Sequence, residues 1–225
     1  MISDALVRCR GVARTHGRGA TATVALAPTD CELWAGDQIA LTGPSGSGKS
    51  TLLYLMAGLD MPTTGEIDWP AIGERDTLRP VRVAMIFQGP SLLAPLTVAE
   101  NVALPLILGG SEEQAAQQRA RQALDELDLG ELAAKLPEEI SGGQAQRVAI
   151  ARAVAGTPQL ILADEPTGQL DAANGAAVIE VLLKASQRSG AGLVVSTHDG
   201  AMAQALPGRW DIHNGELTVR AGAPA

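Results

Sequence analysis

The segment Gly43-Pro44-Ser45-Gly46-Ser47-Gly48-Lys49-Ser50 constrains this chain more than any other. It fits the pattern Gly-x-x-x-x-Gly-Lys-Ser/Thr, follows the apolar run 38–42 and precedes a helical run, 51–57, that opens at Thr51. Glycines let a backbone wrap closely around a phosphate, so that successive N–H groups and the helix N-terminus point at its oxygens. The Lys49 ammonium is then placed to neutralise charge on the outer phosphates, and the Ser50 hydroxyl to face a Mg²⁺ ion. A merely flexible Gly/Ser turn would require neither the strand, the helix nor the spacing.

The remaining pattern agrees with an α/β domain. Strand-like runs at 38–42, 81–87, 160–164 and 193–197 alternate with helical ones, which favours a largely parallel sheet. Three of them end at a polar residue: Gly43 follows the first, Asp164 closes the third and His198 follows the last. Ligands of open α/β sheets bind beyond the carboxyl ends of the strands, so these distant residues can share one crevice. Asp164 suits a place beside the metal, and Glu165 suits polarising a water that attacks a terminal phosphate. Alone, an apolar strand ending in Asp-Glu is as often one that meets solvent, and a histidine at a strand end is usually a surface residue. The phosphate loop in the same chain is what turns both toward chemistry.

Between the second and third strands the pattern becomes helical, and 89–156 reads as an insertion. One helix is predicted to open with a capping box at Ser111 and Gln114, another with the same box at Ser141 and Gln144, running on to Pro158. Near the end, Asn214-Gly215 between two strand-like runs predicts a two-residue hairpin, and 221–225 reads as a tail.

A chain of 225 residues can bury a core as one domain with an inserted subdomain. No apolar run approaches the roughly 18 residues of a membrane span, and no charged-then-apolar leader opens the chain, so a cytoplasmic location is expected. Cys9 and Cys31 lack metal or redox spacing and read as reduced core residues. A net charge of −8 and an aromatic content of 2% argue against nucleic acid as a partner, since neither a basic face nor a stacking surface is available.

Ile140-Ser141-Gly142-Gly143-Gln144, continued by Gln146 and Arg147, is similar to the LSGGQ signature of the ABC ATPase family, and the chain resembles that family along almost its whole length. Physically, Ser141 and the N–H groups of Gly142 and Gly143 open a helix whose positive end can hold a phosphate. The resemblance implies a P-loop NTPase core over 1–88 and 157–225, with an N-terminal antiparallel β portion and the inserted helical subdomain. It further implies an ATP-hydrolysing subunit that closes on a second copy of itself around two ATP, each Ser141 helix end sealing its partner's nucleotide.

Other roles follow from the resemblance by position. Gln88 matches a glutamine that touches Mg²⁺ and links core to helical subdomain, and His198 matches the switch histidine. Asp171, in Gly168-Gln169-Leu170-Asp171, matches a residue facing the dimer partner. An integral membrane permease would be gripped near 88–104. The segments 91–106 and 165–171 look like the branch serving lipoprotein release and macrolide or peptide export, where the place of Gln169 is commonly asparagine.

One departure from the family concerns adenine. Its usual aromatic ring is replaced here by His16, which stacks less surface, and a solvated loop residue is an equal reading of that histidine. A second departure is the short, proline-interrupted stretch 69–80. Two competing functions fit less well. A soluble family member acting on DNA or ribosomes would carry long coiled coils, zinc cysteines or a second cassette, and a small-molecule kinase would not need 140–144.

Overall fold

The structure, a computed structural model, describes residues 4–168, 170 and 172–220. The chain opens with β1 (Val7–His16), β2 (Thr23–Leu33) and β3 (Gln38–Thr42), followed by α1 (Lys49–Met56), β4 (Thr64–Asp68) and β5 (Val83–Ile86). Three helices come next: α2 (Val98–Leu108), α3 (Glu113–Asp125) and α4 (Gly142–Val154). The last part runs β6 (Leu160–Asp164), α5 (Ala172–Ser189), β7 (Gly192–Ser196), α6 (Gly200–Gln204), β8 (Gly208–His213) and β9 (Glu216–Arg220).

Two sheets result. One is an antiparallel sheet ordered β2-β1-β4 and the other a six-stranded sheet ordered β5-β6-β7-β3-β8-β9, parallel except for β9. Asn214 and Gly215 turn β8 into β9 with positive φ at both residues, as a two-residue hairpin requires. The N-terminal sheet is bulged: the β1–β2 register shifts between Cys9 and Val12 and again before Thr15, which breaks strict alternation along the strand.

The uninterrupted apolar runs of the central strands are explained by burial on both faces. Odd residues Ile161, Ala163, Leu193 and Val195 pack into the core under α2 to α5. Even residues Leu160, Leu162 and Val194, with Ile39 and Leu41, pack into a second core shared with α1 and the antiparallel sheet. The same period of two carries Asp164 and Ser196, cross-strand partners at the ends of β6 and β7, onto the α1 face.

Helices α2, α3 and α4 lie between β5 and β6 in sequence. The α4 capping box forms as expected: Ser141 Oγ accepts from Gln144 N at 3.2 Å and Gln144 Oε1 accepts from Ser141 N at 2.8 Å. The box expected at Ser111 does not form, because Ser111 N instead closes the end of α2 by donating to Leu106 O at 2.9 Å, and α3 starts behind Glu112 with no side-chain cap. The helix α2 itself was not read from the sequence, although Thr97 and Glu100 make a complete capping box at its start. Those Thr97 hydrogen bonds also hold the Glu100 carboxyl below its ordinary pKa.

Candidate active site

The loop between β3 and α1 is shaped by contacts that exclude side chains. At Gly43 and Gly48, both at positive φ, a Cβ would run into the carbonyl oxygens of Ile212 and Ala25 respectively. Only glycine fits such an approach of backbone to backbone. Pro44, Ser45 and Gly46 face outward, whereas Ser47 is buried and its Oγ has no protein partner. From behind, Gly215 N donates to Ser47 O at 3.0 Å while Gly215 O accepts from Ala27 N at 2.9 Å, so the β8–β9 turn props the loop against β2.

Lys49, at the first position of α1, is 6% exposed and donates from Nζ to Gly43 O at 2.9 Å and Pro44 O at 3.0 Å. Ser50 and Thr51 follow on the first turn. Together with Gln88, Glu165 and Ala25 they border a cleft of about 330 Å³ outside the loop.

Glu165 is where the other elements converge. Its carboxylate lies 3.9 Å from Lys49 Nζ, accepts from Gln88 Nε2 at 3.4 Å and stands 3.4 Å from His198 Nδ1. Gln88 comes from the end of β5, Glu165 from the end of β6 and His198 from the end of β7, the carboxyl edge at which ligands of such sheets bind. Glu165 adopts a φ of 44°, an unfavourable conformation for a residue with a Cβ, which marks an over-determined position. Asp164, one residue earlier, is 2% exposed and faces α1, where it meets the Tyr54 phenol. Burial, and then the charge of Asp164 and a hydrogen bond to it, push the Tyr54 pKa up.

A nucleotide with a divalent cation fits these residues. The orphaned Ser47 hydroxyl and a lysine hydrogen-bonded to two backbone carbonyls sit in a loop with no room for side chains on its protein side. No group of three or more His, Cys, Asp or Glu gathers among the described residues.

Other expected residues lie elsewhere. His16 is exposed at the end of β1 opposite Thr23 and does not border the Lys49 cleft. Nor do Ser141, Gly142, Gly143 and Gln144, which stand at the start of α4. There the capping box satisfies Gln144 N and leaves the N–H groups of Gly142 and Gly143 without intrahelical acceptors. Asp171 and Gln169, like the tail at 221–225, lie outside the described residues.

Residues 26–168 match the sequence profile of the ABC transporter family. This chain belongs to that family. Its fold and P-loop cleft are those of an ABC ATPase, an ATP-binding and ATP-hydrolysing subunit. Similar proteins include the lipoprotein-releasing system ATP-binding protein LolD of Legionella pneumophila (strain Paris), 37% identical over 97% of this chain and 100% of the relative. The protein of the same name from Xylella fastidiosa is 35% identical over 96% of this chain and 93% of its own length. Among solved structures, the ATP-binding cassette MJ0796 in a dimeric post-hydrolysis state bound to ADP and Pi is similar at 34% identity and a TM-score of 0.86, covering 96% of this chain and 100% of that one. A second dimeric structure of that bacterial ABC transporter cassette gives a TM-score of 0.88 at the same identity and coverage.

The sequence did not single out two participants, Tyr54 and Ser196, which reach Asp164 from α1 and β7. A serine closing an apolar strand, two residues before His198, was the available signal for one of them. Gln146, read with the signature, donates from α4 to Phe87 O at 3.2 Å beside Gln88.

Proposed function

We propose that this ABC ATPase works as one of two identical cassettes that close on ATP and drive a membrane permease of the lipoprotein-releasing kind. One observation carries the reading: a single carboxylate, Glu165, gathers Gln88 and His198 from the ends of two other strands and Lys49 from the start of α1. Phosphates lie along the N–H groups of 45–51, with Lys49 Nζ turning from the Gly43 and Pro44 carbonyls to the outer phosphates. Ser50, Gln88 and Asp164 would hold a Mg²⁺ ion, which would supply positive charge against that building on the leaving phosphates. Glu165 orients the attacking water and accepts its proton, and the His198 imidazole steadies that carboxylate and the outer phosphate.

The helix start at Ser141, with free N–H groups on Gly142 and Gly143 and outside its own chain's cleft, serves the nucleotide of the second copy. Asp171 faces that copy as well. His16, exposed at the end of β1, would be the residue to stack on adenine. Closure is transmitted through the segment following Gln88 to the permease, which grips the groove at 88–104 from the cytoplasmic side of the membrane. No described helix is long and apolar enough to cross a membrane. The lipoprotein-releasing assignment rests on the likeness to LolD.

Glu165→Gln tests the chemistry: ATP binding is retained, ATP-bound dimers accumulate and turnover falls by orders of magnitude. Undiminished hydrolysis removes Glu165 from its role, and normal ATP affinity in Lys49→Ala contradicts the cradle. Co-purification in detergent with a permease encoded beside this chain tests the partner.

A further inference from the structure

We propose that Ser196 is a positioning residue for hydrolysis, its one hydroxyl fixing both carboxylate-bearing residues at the end of β6. Ser196 Oγ donates to Asp164 Oδ1 at 2.7 Å and accepts from Glu165 N at 2.9 Å. The inference deepens the reading just given, since it assumes that Asp164 stands beside the metal and Glu165 beside the water.

The direction of both bonds is determined by the groups themselves. An ionised carboxylate only accepts and a backbone N–H only donates, so the serine proton points at Asp164 and its lone pair at Glu165. Ser196 is fully buried at the end of Gly192-Leu193-Val194-Val195, a run with no other polar side chain. A hydroxyl there is unfavourable without partners, and it has two.

Each bond constrains a different element of the site. Through Oδ1 the buried Asp164 carboxylate, which also meets the Tyr54 phenol, is held against rotation. Through its N–H, Glu165 is clamped at the start of the 165–168 turn: the same N–H also reaches Ser196 O at 3.2 Å, and Glu165 O accepts from Gly168 N at 3.1 Å. These bonds sustain the positive φ that swings the Glu165 side chain away from the strand direction and toward Lys49, Gln88 and His198. The geometry links β7, which ends two residues before His198, to the metal-facing and water-facing carboxylates together. Partners of this outer kind typically shift metal affinity or activity by about 10–100-fold when removed.

The test uses the full chain carrying Ser196→Ala, Ser196→Val or Ser196→Thr, with Glu165→Gln in parallel. Val and Thr have the same shape and differ in the hydroxyl, so packing is held constant between them. ATP affinity is measured at equilibrium in EDTA and across a Mg²⁺ titration, and kcat is normalised to the ATP-binding fraction. Ala and Val are expected to lower kcat about 10–100-fold and to need more Mg²⁺ for the metal-dependent gain in ATP affinity, with affinity in EDTA unchanged. Thr is expected to recover both. Wild-type turnover and Mg²⁺ dependence in Ser196→Val, with Glu165→Gln inactive, overturn the positioning role alone. Equal losses in Thr and Val also overturn it, because shape would then be the cause. An active Glu165→Gln overturns the underlying reading of the site, and the positioning role with it.

Discussion

Arg152, near the end of α4, donates to the Ser91 carbonyl at 3.0 Å and to the Ser91 hydroxyl at 2.9 Å. The helix that opens at Ser141 is thereby tied at its far end to the segment just after Gln88. Gln146 makes a second tie from the same helix, to Phe87 O. Burial lowers the Arg152 pKa from its ordinary value, but a guanidinium stays charged and keeps its planar fork of donors.

Arg152→Ala is therefore expected to loosen the segment 89–92 from α4 while the P-loop is untouched. Loss of these hydrogen bonds should cost about 1–3 kcal/mol of stability, as for bonds to a charged group. Hydrogen exchange is expected to rise in 89–92 and ATP affinity to stay within about 2-fold, the expectation for a site more than one contact away. Arg152→Lys should recover little, because a point charge cannot reproduce the fork.

Gly48→Ala tests the shape of the phosphate loop. The added Cβ meets the Ala25 carbonyl oxygen, and the φ of 109° is strained for any L side chain. ATP binding is expected to fall at least about 10-fold, as a loop displaced from its anion geometry would give, with a lowered thermal midpoint. Gly46→Ala is the control: its φ is also positive, but its Cβ points into open space, so only backbone strain of about 1–2 kcal/mol applies. Equal behaviour of the two variants in a thermal melt would refute the packing argument.

Asn101 explains how the loop before α2 is held. It is fully buried, accepts from Leu93 N at 2.7 Å and donates to the carbonyls of Leu93, Leu96 and Thr97 at 2.9 to 3.1 Å. Asn101→Leu keeps the volume and removes every bond, leaving backbone groups of the loop without partners. A cost of about 2–4 kcal/mol in urea unfolding is expected, and a change below about 0.5 kcal/mol would show that the loop satisfies itself otherwise.

These cases show which features a sequence displays. The phosphate loop, the Asp164-Glu165 strand end and the Ser141 cap are local: each is a short pattern whose geometry depends on neighbours in the chain, and the structure forms them where the residues predict. The helix α2 carried an equally local sign in Thr97 and Glu100, obscured by Pro105 within the helix. The Ser111 cap failed because closure of the preceding helix, through Leu106 five residues back, took its backbone N–H. What stayed illegible was non-local. Nothing near Ser196 in sequence announces its partners 31 and 32 residues away, and the bulged register of β1 on β2 hides the alternation that marks a strand.

The pair Glu126–Arg188 gives a pH prediction. Two parallel bonds of 2.8 Å join the end of α3 to the last turn of α5. The hydrogen bond from Arg188 comes first among the causes that hold the Glu126 carboxyl below its ordinary value of 4.5, with the Arg188 and Lys184 charges adding to it. A depressed carboxylate stabilises the fold fully above its unfolded pKa, and the contribution disappears as pH falls through the lower folded value. Both side chains are largely solvated, at 59% and 40% exposure, so the pair should contribute no more than about 1 kcal/mol. Glu126→Gln is thus expected to unfold at slightly lower urea than the unmodified chain at about pH 7, with the gap closing below about pH 4 and shrinking in about 0.5 M salt. A gap that persisted unchanged in acid would mean that the glutamate acts through packing along its stem and not through its charge.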